Sequence, residues 1–488
     1  MRETTERALD VCQGHGATYA DIRIVRRENQ NITVKNGIVQ TLSLDDDFGF
    51  GVRVIADGAW GFASSNRLNE AEIDRIAAQA VAIAKASATA NKESVDIGPA
   101  EVHVDTYKTP MEIDPFDISL EDKIDVLIAA DKEARAVKGL ALAQGSMGFL
   151  RETKTFASSE GSYIEQILVE SGLGITVRAV ADGEMQQRSY PNSFGRHQGT
   201  GGYEIIKKWD LPGNARQAAE EAVALLSAPQ CPSKTTTIIL DGPQLALQVH
   251  ESCGHPIELD RVYGTEAAFA GTSFLTPDKF GTFRYGSDVV NLVADAVTPT
   301  GLGTYGYDDE GVPGQTTDIV KSGMFVGYLT SRETASQLRK THPDAPERSN
   351  GTMRADGWNR VPIVRMNNVS LMPGQPSLDE LIADTDDGIY MLTNKSWSID
   401  DKRLNFQFGT ELAYEIKNGK LGQMVKNATY TGITPQFWGG CDAVCNADHW
   451  NTWGTTNCGK GQPMQSAHTG HGTAPARFRN VQVGLMDG

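Results

Sequence analysis

An α+β fold in two parts is what this sequence of 488 residues predicts. Three observations carry that expectation. Two stretches of alternating, strand-like residues in the first half resemble one another at a fixed offset, each flanked by helical segments. A break rich in turn-forming residues follows them, Ser227-Ala228-Pro229-Gln230-Cys231-Pro232-Ser233. Beyond it, short strands and Gly-rich turns predominate and helices are few. The expected arrangement is an N-terminal domain, residues 1–228, of duplicated helix–β-meander–helix units. A C-terminal antiparallel β-rich domain, residues 233–488, carries a short metal-site helix.

The first unit spans about residues 1–100 and the second about 119–228. Arg27-Glu28 to Asn36-Gly37 aligns without gaps against Arg151-Glu152 to Glu160-Gly161, an offset of 124 residues. Further on, Val52-Arg53-Val54-Ile55-Ala56-Asp57-Gly58 matches Val177-Arg178-Ala179-Val180-Ala181-Asp182-Gly183, an offset of 125. Hairpin turns are expected at Asn36-Gly37 and Glu160-Gly161. Helices are expected at 4–13 and 120–136 before the strands, and at 70–84 and 215–226 after them. Chance resemblance between two meanders is the competing explanation. In the second half, 235–240 reads as a buried strand and 378–383 as a short helix. Strand-and-turn character marks 305–311, 323–329 and 409–421.

Composition narrows the function classes. The net charge is −17, from 45 basic and 62 acidic residues, which disfavours binding a phosphate backbone, so no nucleic-acid partner is expected. No stretch reaches the ~18 uninterrupted apolar residues of a membrane span. The first residues lack an apolar signal region. Six cysteines in a chain of this length do not make a disulfide framework. A cytoplasmic protein with reduced thiols is expected.

Chemistry concentrates in His250-Glu251-Ser252-Cys253-Gly254-His255, an H-E-x-x-x-H run. It has one residue more than the H-E-x-x-H of zinc peptidases. On a regular α-helix, positions i and i+4 are about 40° apart in projection, but i and i+5 are about 140° apart. Both imidazoles can therefore reach one ion only if the helix widens or ends between them. Gly254 and Pro256 predict an ending, with Gly254 as the C′ residue. The helix would run over 243–253, capped by Asp241 or Gly242 and with Pro243 in its first turn. His255 would then swing back toward His250.

A third donor must come from afar. Cys458 is the best candidate, because the glycines around it in Asn457-Cys458-Gly459-Lys460-Gly461 allow close backbone approach and leave the sulfur accessible. Two histidines and one cysteine with an open fourth position form an arrangement that catalytic zinc uses. Cys441, Cys445 and His449, spaced at i, i+4 and i+8, are a second possible metal group, against loop or packing roles. Cys253 is either a nucleophile or core packing, and its apolar neighbours Leu245 and Val249 favour packing. Cys12 and Cys231 read as structural. His15, His103, His197 and His342 read as surface or capping residues, while His468 and His471 are candidates for the vicinity of the site.

At His250 to Asp260 the sequence resembles the H-E-x-x-G-H-x-x-E-x-D motif of TldD-type members of the TldD/PmbA family. Asp308-Asp309-Glu310-Gly311, Arg365-Met366-Asn367-Asn368, Pro373-Gly374, Gly388-Ile389-Tyr390 and Cys458-Gly459-Lys460 follow in the family's order. The resemblance covers nearly the whole chain. It implies a zinc metallopeptidase acting on unstructured peptides or small unfolded proteins. The zinc would be held by His250, His255 and Cys458, with Glu251 as catalytic base. It also implies a homodimer, or a heterodimer with a related subunit lacking the motif. An older family label, modulator of DNA gyrase, implies a regulatory role that the acidic composition does not independently support. The segment with Trp438, Cys441, Cys445, His449, Trp450 and Trp453 departs from the general pattern.

Glu251 would take a proton from water and deliver it to the leaving amine. Glu258 and Asp260 are candidates to accept from the ligand imidazoles, and Lys460 is either a stabiliser of developing oxyanion charge or a solvated lysine. Two alternatives belong to other classes: a non-catalytic, zinc-stabilised regulatory or interaction subunit, and a cysteine hydrolase using Cys253 or Cys458.

Overall fold

Long two-faced strands organise the first half of the computed structural model, which describes residues 1–100 and 102–484. Helix α1 (Arg2–Gly14) leads into β1 (Tyr19–Lys35), β2 (Ile38–Ala56) and β3 (Ala59–Ser65), followed by α2 (Glu70–Ala88) and β4 (Val104–Lys108). A second run has α3 (Leu120–Arg135), β5 (Leu140–Ser158), β6 (Tyr163–Ala181), β7 (Glu184–Tyr190), β8 (His197–Thr200), α4 (Glu204–Trp209) and α5 (Leu211–Ser227). The order helix–strand–strand–strand–helix thus occurs twice, and the second run adds β8 and α4 before its closing helix. Asn36-Gly37 and Asp57-Gly58 turn two of the hairpins with positive φ at both residues, as does Asp182-Gly183.

The eight strands form one sheet in the order β3-β2-β1-β5-β6, with β4, β7 and β8 sharing the outer edge of β6. Alternation sorts the side chains. Ile22 and Ile24 of β1 join a core under α1 and α2, while Ile32 and Val34 join a second core under α3 and α5. Arg23 and Arg27, on the opposite face, reach Asp309 and Asp356 of the second half. The helices begin where the sequence supplies caps: Asn69 accepts from the Glu72 N–H and Ser119 from the Asp122 N–H, both at 3.0 Å.

The second half opens with β9 (Lys234–Leu240). With strands Ala476–Val483, Thr429–Ile433, Asn405–Lys417 and Asp387–Ile399 it closes a barrel, because Asp387–Ile399 pairs with both Asn405–Lys417 and β9. A separate six-stranded sheet includes Asn368–Leu371, Gln465–Thr473 and, at its edge, Asn451–Lys460. The antiparallel expectation needs correction at two places. β9 runs parallel to Asp387–Ile399, and Asn368–Leu371 parallel to Gln465–Thr473. The long connections between those partners make parallel pairing accessible. Residues 305–311 carry the turn part of the strand-and-turn expectation, with a single β-bridge from Tyr307 to Pro313. Helix Arg332–Thr341 was not expected, since its sequence is mostly polar; a Ser331–Thr334 capping box starts it. The final four residues of the 233–488 range lie outside the described residues.

Candidate metal centre

β9 delivers the chain into α6 (Gly242–Val249), with Asp241 at the N-cap position and Pro243 in the first turn. The helix does not end at Gly254. Residues His250–Gly254 form one π-helical turn, in which the His255 N–H donates to the His250 carbonyl, five residues back. Gly254 is right-handed, at φ −57 and ψ −58, so its expected left-handed C′ role is overturned. The wider turn accommodates the extra residue and brings positions i and i+5 to one side. Gly254 serves close packing instead: a Cβ there would sit 2.0 Å from Met366 Sδ. Tyr285 donates to the Ser252 carbonyl at 2.9 Å and the Trp438 indole N–H to Ser252 Oγ at 2.9 Å, holding the widened turn from the core side.

One donor atom each from His250, His255 and Cys458 lies within 4.8 Å of the other two, and all three residues are buried. Cys458 Sγ is 3.6 Å from His255 Nε2. Ordinary Zn–N and Zn–S bonds in a tetrahedral site separate nitrogen from sulfur by about 3.6 Å. These residues fit such an ion.

The hydrogen bonds around the rings assign their protons. His471 Nδ1 is 2.8 Å from the Val369 carbonyl, which can only accept, so that nitrogen carries hydrogen. In the neutral ring Nε2 is then an acceptor, and His250 Nδ1, 2.8 Å away, donates to it. His255 Nδ1 likewise donates to Glu258 at 2.9 Å. Both ligand rings are left with a bare Nε2 lone pair. Burial holds His250 below its ordinary pKa and drives His255 down to about 3. It also places His471 well below the usual range. Neutral imidazole is the form that binds metal. For Cys458, burial pushes the thiol up, but His255 and Arg365 outweigh it and hold the pKa below the usual value.

Cys458 stands on the strand Asn451–Lys460, where a bulge between Thr455 and Cys458 inserts an extra residue and re-aims the side chain. The sulfur is buried rather than accessible, contrary to the reading of the glycines. Arg365 donates to the Cys458 carbonyl, and to that of Gln465 at 2.9 Å, fixing the strand from behind.

Glu251 faces a cleft of about 520 Å3 between the two halves, lined by the three donors and by Arg403, which donates to its carboxylate. Sequence reasoning missed Arg403, which sits in a turn without periodicity. Glu258 accepts from an imidazole as expected. Asp260 does not; it accepts from Lys460 at 2.5 Å. Lys460 is buried, with Glu258 at 3.8 Å, so it is neither solvated nor aimed at the cleft.

The other candidates separate cleanly. His471 joins the site, whereas His468 pairs with Glu170 at 2.6 Å. Cys253 is core packing, its thiol pushed up to about 12 by burial. Cys441 and Cys445 are buried on or beside a short strand, and His449 Nε2 accepts from the Leu378 N–H. Among the described residues only His250, His255 and Cys458 gather as a possible metal group. His197 is no surface residue; it is buried between Trp209 and Trp453.

Known proteins resemble this chain along its length. Models of the PmbA/TldA metallopeptidase family match as domain 1 over residues 20–84, central domain over 113–226 and C-terminal domain over 233–484. A metalloprotease of Methanocaldococcus jannaschii is 34% identical over 433 residues, covering 88% of this chain and 89% of that protein. A zinc metalloprotease TldD homolog of Saccharolobus solfataricus is 24% identical, covering 86% and 87%. The crystal structure of a proposed modulator of a DNA gyrase from Thermotoga maritima superposes with a TM-score of 0.77 at 18% identity, covering 99% and 100%. TldE from Thermococcus kodakarensis superposes at 0.74 with 16% identity, covering 98% and 99%. Family models spanning both halves, and a relative matched over most of its length, place this chain in the TldD/PmbA metallopeptidase family.

Proposed function

We propose that this protein hydrolyses peptide bonds in unstructured peptides or small unfolded proteins, at a zinc ion held by His250, His255 and Cys458. The observation that carries the reading is the convergence of two bare imidazole nitrogens and one thiol beside a carboxylate that faces a cleft. A bound zinc ion supplies Lewis acidity and lowers the pKa of water to roughly 7. Glu251 takes the proton of the attacking water and passes it to the leaving amine. Arg403 orients that carboxylate through its guanidinium. Glu258 and His471 hold the ligand rings in the tautomer that binds metal, and Lys460 offsets the buried charge of Glu258.

The cleft supports the substrate class. The three donors at its floor are buried, which favours an extended chain over a folded surface. Residues 453–459, on the edge strand of the six-stranded sheet, form part of its wall, a place where a peptide can add as a further strand. The chain works as a homodimer or with a related subunit lacking the motif. An exposed strip on β2, with Ile38, Val39, Leu42 and Leu44, supports such association. No helix among the described residues is long and apolar enough to cross a membrane.

The test is cleavage of an unstructured peptide by purified protein of known zinc content, with and without chelator. Glu251→Gln should keep its zinc and lose about 10²–10⁴-fold in turnover. Full turnover by that variant, or by zinc-free protein, removes the proposal.

A further inference from the structure

The cleft has a feature that the hydrolytic chemistry does not use. Phe194 and Trp397 both line it, and both are large aromatic side chains left 48% and 45% exposed. Their rings touch edge to face, with centroids 5.6 Å apart. Phe194 comes from the N-terminal half, in the turn after β7; Trp397 comes from the barrel strand Asp387–Ile399. The turn is tied to that strand, since the Asn394 N–H donates to Ser193 Oγ at 3.0 Å.

Phe194 is also held in an unfavourable backbone conformation, at φ 61 and ψ 19. Glycine or asparagine ordinarily takes that region, and a bulky side chain there is disfavoured. The position therefore sacrifices backbone ease and apolar burial together, a combination that clusters at ligand-binding sites. The cleft continues from this pair along α6. Pro243, Ala246, Leu247 and His250 recur at i, i+3, i+4 and i+7, so one helical face carries an apolar lane that ends at a proposed metal ligand. The cleft is also lined by polar residues of the N-terminal sheet, Thr33, Gln144, Ser146 and Thr176.

We propose that Phe194 and Trp397 form a subsite for a large apolar or aromatic side chain of the peptide substrate, the polar residues of the N-terminal sheet serving the peptide backbone. This rests on the proposed peptide hydrolysis and adds a side-chain preference to it. An aromatic pair with exposed faces gains by covering them, and stacking against an incoming ring or aliphatic chain is the contact such geometry favours. The pair itself offers an acidic side chain no cation, and the nearby Arg196 is turned to Thr456 Oγ1 at 3.3 Å.

The experiment uses short unstructured peptides identical except at one position, occupied by Phe, Leu, Ala or Asp. Wild-type protein should cut the Phe and Leu peptides about tenfold or more better than the Asp peptide in kcat/KM. Phe194→Gly should erase that preference, lowering kcat/KM for the Phe and Leu peptides about tenfold toward the value for the Asp peptide. Because glycine relieves the strained φ, the variant should also unfold at the same temperature as wild type or higher. In the Glu251→Gln background the Phe peptide should change Trp397 fluorescence on binding, and a Trp397→Leu partner variant should lose that signal. Equal cleavage of all four peptides by wild type overturns the subsite while hydrolysis stands; cleavage of none overturns both. A Phe194→Gly variant that melts lower, or loses activity toward every peptide alike, makes Phe194 a structural prop and overturns the subsite.

Discussion

Two of the buried polar clusters among the described residues are built on opposite principles. At the junction of the halves, the turn Asp308-Asp309-Glu310-Gly311 inserts against the N-terminal sheet. There Asp309 meets Arg23 at 3.2 Å and Lys154 at 2.6 Å, and Glu310 meets Arg53 at 3.2 Å. Arg53 also holds Asp21 at 2.7 Å. Asp309, Glu310 and Asp21 each face an opposite charge, whereas Asp308 accepts from the Glu310, Val312 and Met353 N–H groups, and burial beside Glu310 pushes its carboxyl up to about 8. Lys154 and Arg23 draw Asp309 below the usual carboxylate range, against the upward push of burial. At the metal centre two Nε2 atoms and a thiol converge, joined only by the 3.6 Å contact of Cys458 Sγ with His255 Nε2, while the outer nitrogens of both rings are held by Glu258 and His471. A closed cluster fastens two parts together, whereas a cluster of converging donor atoms with one weak contact among them is suited to a cation. Burial and charge do not distinguish the two; the direction of the hydrogen bonds does.

The largest effect should come from the incomplete cluster. Cys458→Ala removes one of three donors, so zinc affinity should fall by more than the ~100-fold upper range for outer partners, with little change in metal-free stability. Metal titration of the variant checks this, and wild-type affinity would remove Cys458 from the donor set. The closed cluster should respond in the reverse sense. Asp309→Ala leaves buried Arg23 without a carboxylate and Lys154 with only Glu152 at 3.5 Å, and should cost about 3–5 kcal/mol of stability, measured by denaturant unfolding, with zinc affinity intact. Equal damage to zinc binding would mean that the two clusters are coupled.

A finer probe is His471→Phe, which keeps a ring in place but deletes the acceptor for His250 Nδ1. Zinc affinity should drop about 10–100-fold while the unfolding midpoint moves little. At neutral pH the smallest effect belongs to His197, a buried histidine outside both clusters. Burial lowers its pKa from 6.5 to about 3 in the folded chain. Between those values the unfolded chain binds the extra proton, so stability rises with pH through the window and is lost on acidification. The contribution is at most about 1.4 kcal/mol per pH unit. His197→Phe should flatten the acid limb of an unfolding-versus-pH curve by that amount; an unchanged slope would count against burial as the cause.

Much of the centre was legible because its chemistry is local. Two imidazoles, a carboxylate and one distant cysteine announce themselves by residue type, and the amphipathic helices 70–84 and 120–136 appear close to their expected bounds. What escaped was whatever distant partners decide. Helix widening at His250 depends on Tyr285, Met366 and Trp438, none of which is near it in sequence. Parallel pairing of β9 depends on a strand that begins at Asp387. Arg403 carries no periodic signal, and nothing adjacent to His197 reveals the two indoles that enclose it.

The Ser252 carbonyl, captured by Tyr285, has a consequence of its own. In a regular helix one residue corresponds to about 100° of rotation, so relaxation of that single turn would carry one imidazole out of range of its partners. The gauge that sets the distance between the two rings is therefore kept by a phenol on the dry side of the helix. Substitutions such as Tyr285→Phe, remote from solvent and from every donor atom, can detune which ion the centre accepts.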